Sequence, residues 1–141
     1  MIDKPPIFVI APGQDEDLTQ YIAYKIAEEA GVNYAFTVST ELAALVVELG
    51  GIWDRPCEDG TDAEIMIQDK TKTKAFEQIL GLFFKITNWR PERDFQTSSS
   101  QQYDSNYVRL ELTNKIRYSD TMRDVFIKTV AEILKELKDV L

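Results

Sequence analysis

Histidine is absent from this sequence, and cysteine occurs once, at Cys57. Without imidazole, the chain has no Ser-His-Asp or Cys-His arrangement, no histidine-ligated zinc and no histidine general base. A single cysteine forms neither an internal disulfide nor a thiolate metal site, which is typical of a reducing compartment. We therefore expect a chain that is cytoplasmic, or assembled into a virion from the host cytoplasm. Any catalysis must use carboxylate, tyrosine, lysine, arginine or hydroxyl groups.

The sequence also has no long apolar run and no basic leader. No stretch approaches the roughly 20 apolar residues that a membrane span needs. The first residues, Met1–Pro6, lack a basic region followed by an apolar core, so we expect no signal peptide and no membrane contact. The length of 141 residues, with 44% hydrophobic and 28% charged residues, is typical of one globular domain.

Positive charge is scarce in the first half of the chain. The formal net charge is −8, which argues against nucleic-acid binding because phosphate neutralisation needs clustered Lys and Arg. Residues 1–64 hold 13 Asp/Glu and 3 Lys/Arg, whereas residues 65–141 hold 11 and 13. This polarity predicts contact between the acidic part of one copy and the basic part of another. The alternative is that both halves form one unit whose charges mix at the surface.

The hydrophobic pattern of the first half indicates alternating strands and helices. A short apolar run at 7–11 predicts a buried strand, and an apolar stripe from Leu18 to Ala30 predicts a helix that Asp15 caps and Gly31 ends. A second strand is expected at 34–38. A second helix, capped by Ser39 or Thr40, is expected to reach Leu49. This β-α-β-α order predicts that the first two strands are parallel.

The second half adds further elements and one long loop. We expect a strand at 64–68, a helix opened by Thr71 or Thr73 with an aromatic core face, and a final amphipathic helix capped by Ser119 or Asp120. Strict alternation at 107–112 predicts a half-buried strand that forms a hairpin with 115–118. The sequence thus predicts a single α/β domain over residues 1–141. Its central mixed sheet has a parallel β-α-β start and a C-terminal hairpin strand pair, flanked by about four helices, with a long polar loop at 88–106.

Two acidic segments are candidates for an ion or phosphate site. Three acids at 15–17 begin the first helix, where they complement the helix dipole and repel an anion. The acids of the loop before the third strand do not match the spacing of a calcium loop, so a solvated acidic loop is preferred over a magnesium site. These acids are Asp54, Glu58, Asp59, Asp62 and Glu64. The sequence predicts no metal and no cofactor.

Four arginines form the main candidate binding cluster. Arg90 and Arg93 lie on the long loop, and Arg109 and Arg117 on the outward face of the predicted hairpin. Beside the aromatic rings of Tyr103 and Tyr107, such a cluster would bind a carboxylate, a phosphate or the acidic face of a partner. The alternative is a set of exposed arginines that pair with neighbouring carboxylates, namely Glu92, Asp94 and Glu111.

A segment in the middle third of the chain, Asp62–Ile67 followed by Thr73–Gly81, resembles the nucleoside 2-deoxyribosyltransferase family. That family has a strand followed by a helix start of the type G-T-A-F-E-[IL]-G. The resemblance implies a flavodoxin-like fold and a glutamate, here Glu77, that attacks the sugar carbon and cleaves the N-glycosidic bond of a nucleoside. The turn around Pro12 and Gly13 would line the nucleoside pocket.

Two classes of function remain open from the sequence. The absence of a complete catalytic constellation and the uneven charge favour a non-catalytic structural or interaction subunit of a homo-oligomer or larger assembly, such as a phage tail or neck component. Its partner would be a second copy or another protein, with loop 88–106 and the face of 107–118 as contact surfaces. The alternative is the nucleoside 2-deoxyribosyltransferase-like enzyme with Glu77 as its nucleophile.

Overall fold

Six strands form a single mixed sheet in the order β2-β1-β3-β6-β4-β5. The computed structural model describes residues 6–12, 18–35, 43–51, 63–88 and 106–140. β1, β2, β3 and β6 run parallel, β6 is antiparallel to β4, and β4 and β5 are parallel to each other. The strands are β1 Ile7–Ile10, β2 Asn33–Ala35, β3 Leu45–Gly51, β4 Ile65–Asp69, β5 Ile86–Asn88 and β6 Tyr107–Leu112.

Four helices flank this sheet, as the sequence predicts. They are α1 Thr19–Ala30, α2 Ala75–Phe83, α3 Asn114–Arg117 and α4 Asp120–Val140. Both α1 and α2 pack against α4, so the three longer helices form one layer over one face of the sheet. None of the helices in the described segments is long and apolar enough to cross a membrane. The described residues thus form one α/β domain.

The core lies between this helical layer and the sheet. Alternate residues of β3 and β6 point into it, because successive side chains of a strand face opposite sides. From the helices, the apolar stripes of α1, α2 and α4 fill the same space, as their periodicity predicts. Phe76 and Leu80 of α2 are fully buried, but Phe83, also expected on the core face, is 60% exposed.

The helix expected from Ser39 or Thr40 to Leu49 is wrong from residue 45 onward, where β3 begins. β3 lies between β1 and β6 and is buried on both faces, so apolar residues occupy both sides of the strand. A doubly buried strand reads as a continuous apolar run, which residue spacing does not distinguish from a buried helix. Residues 36–42 lie outside the described segments.

The C-terminal hairpin is also wrong, because 114–117 form the short helix α3. Both edges of β6 are already occupied, by β3 on one side and β4 on the other, so no edge remains for a returning strand. The chain turns at Thr113 instead: the backbone N–H groups of Ile116 and Arg117 donate to its carbonyl oxygen, at 3.1 Å in both cases. The Thr113 hydroxyl donates to the carbonyl oxygen of Glu64 at 2.9 Å.

The two leucines of α2 provide a test of this core. Leu80 is fully buried and Leu82 is 78% exposed in the same helix. We expect Leu80→Ala to lower the free energy of unfolding by about 2–5 kcal/mol, since it removes buried methyl groups and leaves a cavity. Leu82→Ala is the matched control and should change it by less than about 0.5 kcal/mol. Equal losses in urea unfolding would contradict the helical packing described here.

Candidate functional site

The face of the sheet opposite the helical layer carries polar side chains at its centre. We call five of them the polar face: Glu48 of β3, Gln68 of β4, and Tyr107, Arg109 and Glu111 of β6. In the strand register, Arg109 lies between Glu48 on one side and Gln68 on the other. A small apolar cluster, Ile10, Val46 and Tyr107, adjoins them on this face.

A buried ion pair joins two residues of β6. Arg109 Nε donates to Glu111 Oε1 at 2.5 Å, and the guanidinium Nη2 also contacts that oxygen. Arg109 is only 7% exposed and Glu111 only 4%. Breaking such a pair leaves an uncompensated charge out of water, which costs about 3–5 kcal/mol. The pair therefore fixes both side chains against this face of the sheet.

A second carboxylate, Glu48, lies on the same face across the β3–β6 pairing. The Tyr107 hydroxyl donates to Glu48 Oε1 at 3.2 Å. Burial raises the pKa of the Tyr107 phenol far above its usual value, and the negative charge of Glu48 raises it further. Tyr107 therefore stays protonated and keeps its donor. Lys70 Nζ lies 5.8 Å from the centre of the same ring.

The positive charge of Arg109 interacts with both carboxylates, Glu111 and Glu48. Burial by itself would lower the pKa of the Arg109 guanidinium, but the charges of Glu111 and Glu48 outweigh it and raise that pKa above its ordinary value. Two carboxylates and one guanidinium thus lie on two neighbouring strands, on a sheet face that is almost closed to solvent. This arrangement of acids around a fixed positive charge is typical of catalytic as well as structural clusters.

Two glycines at the end of β3 allow charged side chains to approach its backbone. A Cβ atom on Gly50 would lie 2.5 Å from Glu111 Oε2, and one on Gly51 would lie 2.9 Å from Arg117 Nη1. Arg117 is held there by bonds from its Nε to the Leu112 carbonyl, at 3.1 Å, and from its Nη2 to Asn114 Oδ1, at 2.8 Å. Because successive residues of a strand face opposite sides, Glu111 lies on the polar face at this strand end and Arg117 on the other face.

This strand end lies beside the topological switch point of the sheet. β2 lies on one side of β1 and β3 on the other, and all three strands are parallel. In open α/β sheets, ligands bind outside the carboxyl ends of strands where the connections diverge in this way. The carboxyl ends of β1, β3 and β6 share one edge, so Glu111, Arg117 and the Gly50–Gly51 pair belong to that edge.

Three of the predicted binding residues lie in the described segments, and they are buried instead of facing outward. Tyr107 is fully buried, and Arg109 and Arg117 are 7% and 6% exposed. The structure brings Tyr107 and Arg109 together on the polar face, and Arg117 lies at the carboxyl edge of the central strands. The predicted hairpin, on whose outward face Arg109 and Arg117 were expected, does not form. Three other members of the predicted cluster, Arg90, Arg93 and Tyr103, lie outside the described residues.

Glu77 lies at the opposite edge of the sheet from the turn after β1. β4 is antiparallel to β6, so the carboxyl end of β4, from which the chain enters α2, lies at the amino-terminal edge of β1 and β3. There the Glu77 N–H donates to Asp69 Oδ2 at 3.2 Å. Glu77 and Pro12 therefore do not line one pocket. The transferase role of Glu77 rests on the sequence resemblance alone.

The sequence pattern gave only weak signals for Glu48, Gln68 and Glu111. Glu48 is a lone acid in an apolar run that ends in Gly50–Gly51, and Glu111 alternates with leucines in β6. Of the acidic loop considered for a metal, only Glu64 is described, and its Oε1 accepts the Lys85 backbone N–H at 2.7 Å. Among the described residues there is no group of three acidic, histidine or cysteine side chains placed to hold a metal ion.

Comparison with known proteins adds the architecture of two solved structures. No family model matches this sequence, and no curated protein does. A bacteriophage poly-γ-glutamate hydrolase has a TM-score of 0.60 and 15% identity, covering 96% of this chain and 84% of that one. A protein of Neisseria meningitidis, provisionally assigned as an N-acetylmuramoyl-L-alanine amidase, has a TM-score of 0.61 and 13% identity, covering 94% and 95%. At these identities the similarity shows a shared fold.

These neighbours contradict the expectation of a non-catalytic structural or assembly subunit. Both are named for hydrolytic activities, and each shares its architecture with nearly the whole of this chain. The uneven charge that suggested contact between copies is an observation on the sequence alone, and the folded chain places charges from both halves, such as Glu48 and Arg109, in one cluster. Self-association itself stays a prediction.

Gly50 and Gly81 offer opposite outcomes for the same substitution. We expect Gly50→Ala to lower the free energy of unfolding by about 1–3 kcal/mol, because the new Cβ must displace the paired Glu111 carboxylate. Gly81 lies inside α2, where a Cβ meets Ile86 Cδ1 at an ordinary 3.4 Å. Gly81→Ala should therefore raise stability by about 0.5–1 kcal/mol. Urea unfolding of both variants checks the two signs.

The raised pKa of Tyr107 predicts a pH-dependent contribution to stability. An unfolded tyrosine ionises near about pH 10, whereas folded Tyr107 resists ionisation. Its contribution is therefore complete below about pH 10 and is lost as the pH rises further, because ionisation then favours the unfolded chain. We expect Tyr107→Phe to cost about 1 kcal/mol at neutral pH. This deficit should shrink at about pH 11 in urea unfolding; a constant deficit would contradict the assignment.

Proposed function

We propose that this chain is a hydrolase of amide bonds, with Glu111 as its acid–base group and Glu48 as a carboxylate that keeps Arg109 in place. The observation that carries the proposal is the buried cluster of two carboxylates around Arg109, at the centre of the sheet face opposite the helical layer. The fold it belongs to is shared with two proteins whose names describe the hydrolysis of amide-linked polymers. Poly-γ-glutamate and the muramoyl–alanine linkage both contain a secondary amide.

The chemistry must proceed without histidine, so the proton transfers fall to carboxylates. In the proposed reaction, Glu111 takes a proton from water as the water oxygen attacks the amide carbonyl carbon. The C–N bond then breaks, and the same proton passes to the departing nitrogen. The products are a carboxylic acid and an amine. Glu48, held by the neutral Tyr107 hydroxyl, keeps Arg109 in place from the other side.

Arg109 supplies the positive charge that the reaction needs. Negative charge develops on the carbonyl oxygen during attack, and a fixed guanidinium stabilises it without reorganisation. The Arg109 guanidinium lies on the same face as Glu111, whose carboxylate fixes its position. Gly50 carries no side chain, which lets the Glu111 carboxylate approach the β3 backbone. A scissile amide would lie over the polar face, next to Glu111 and Arg109.

Release of amine measures this activity directly. We expect the wild-type protein to release amine from poly-γ-glutamate or from N-acetylmuramoyl-L-alanine peptides, and Glu111→Gln to lower the rate by about 10²–10⁴-fold. Glu48→Gln should also lower it. Glu132→Gln is the matched control and should leave the rate unchanged, since the Glu132 side chain is 71% exposed on α4. No amine release from either substrate, or full activity of Glu111→Gln, would refute the proposal.

A further inference from the structure

Gln68 is the one member of the polar face that the proposed chemistry does not use. It lies on β4 directly opposite Arg109, in the same row as Glu48. Arg109 directs its Nε and Nη2 atoms to Glu111, on the side toward the carboxyl edge. The Gln68 amide therefore lies beside the charged cluster without belonging to the Arg109–Glu111 pair.

The amide oxygen of Gln68 is buried, and no donor within the described part of the chain reaches it. A buried carbonyl oxygen without a donor is unfavourable, because the hydrogen bonds it made to water are not replaced. The other four residues of the polar face have polar or charged partners there. A methionine at position 68, like Met66 on the same strand, would avoid this cost because it has no buried acceptor to satisfy. Gln68 is thus a polar group whose partner is not supplied by the described fold.

Gln68 as a whole is only partly buried, whereas its amide oxygen is buried. The last torsion of a glutamine is soft and roughly two-fold, so the amide can adjust its orientation to a donor that enters the site. An approaching hydrogen-bond donor would then satisfy an acceptor that is unpaired in the free protein. Binding would be strengthened by the relief of that cost.

We propose that Gln68 Oε1 accepts a hydrogen bond from a backbone-type amide N–H of the substrate, which makes Gln68 a specificity-determining residue for secondary amides over esters. This inference rests on the proposed hydrolase function for the identity of the substrate. An amide N–H is a donor, whereas an ester has only acceptors at that position. A site built to hydrogen-bond a substrate N–H rejects an analogue that lacks it far more strongly than an apolar site does.

The test compares an amide ligand with its ester analogue by calorimetry, which needs no turnover. The ligands are a γ-linked glutamate trimer and the depsipeptide in which oxygen replaces the linking N–H groups. We expect the wild-type protein to bind the amide about tenfold or more tightly than the ester. Gln68→Met, which keeps the length but removes the acceptor, should bring this ratio to about one. Gln78→Met, on the exposed surface of α2, is the control and should keep the wild-type ratio.

Stability of the free protein provides an independent readout. If Gln68 Oε1 is an unsatisfied acceptor, Gln68→Met should raise the melting temperature by about 3–5 °C, since it removes a costly buried group. A structural hydrogen bond to the protein would give the opposite sign. A higher melting temperature together with a lost amide preference is the expected combination.

Several results would overturn the inference. Failure of the wild type to bind the trimer, equal binding of trimer and depsipeptide, or an unchanged ratio in Gln68→Met would each exclude the assigned role. A lower melting temperature in Gln68→Met with an unchanged ratio would show that the amide is purely structural. If the wild type binds the amide selectively but releases no amine, the hydrolase proposal fails while the assignment of Gln68 is still decided by the ratio.

Discussion

The ion pair between Arg109 and Glu111, with Glu48 across the strand boundary, is the interaction on which the centre of this sheet depends. These groups lie on the two central strands and are almost removed from solvent. Charges in such surroundings are tolerated only when they are paired and hydrogen-bonded. A shift of β6 by one residue would turn all of its polar side chains into the apolar core, so the cluster and the core together specify the strand register.

The uneven placement of the helices gives the two faces of the sheet different roles. The helical layer of α1, α2 and α4 buries the apolar face and provides most of the core. The opposite face is thereby left to hold the charged cluster, where side chains from three strands meet without competing with core packing. The antiparallel insertion of β4 beside β6 contributes Gln68 to this face and moves Glu77 to the other edge of the sheet. Topology therefore separates Glu77, which the sequence resemblance singles out, from Glu111, which the structure singles out.

Two glycines at the end of β3 shape the surroundings of this cluster. Gly50 and Gly51 allow a carboxylate and a guanidinium to lie against one strand end beside the switch point of the sheet. Because the chain has no histidine, a hydrolytic reaction here depends on carboxylates whose surroundings are set by burial and by Arg109. Two neutral groups, the protonated Tyr107 hydroxyl and the unsatisfied Gln68 amide, lie next to these fixed charges.

Local patterns were enough to predict the α/β class, the parallel start, β4, β6 and the helices α1, α2 and α4, since apolar periodicity and helix-ending signals are local. The folded chain was needed to show that the segment beginning at Leu45 is a strand and that β6 pairs with β4, since burial on both faces and occupied strand edges are not local properties. The site followed the same division. Arg109 and Tyr107 were identifiable by residue type, but their partners Glu111 and Glu48 and the neighbouring Gln68 come together only through the strand register.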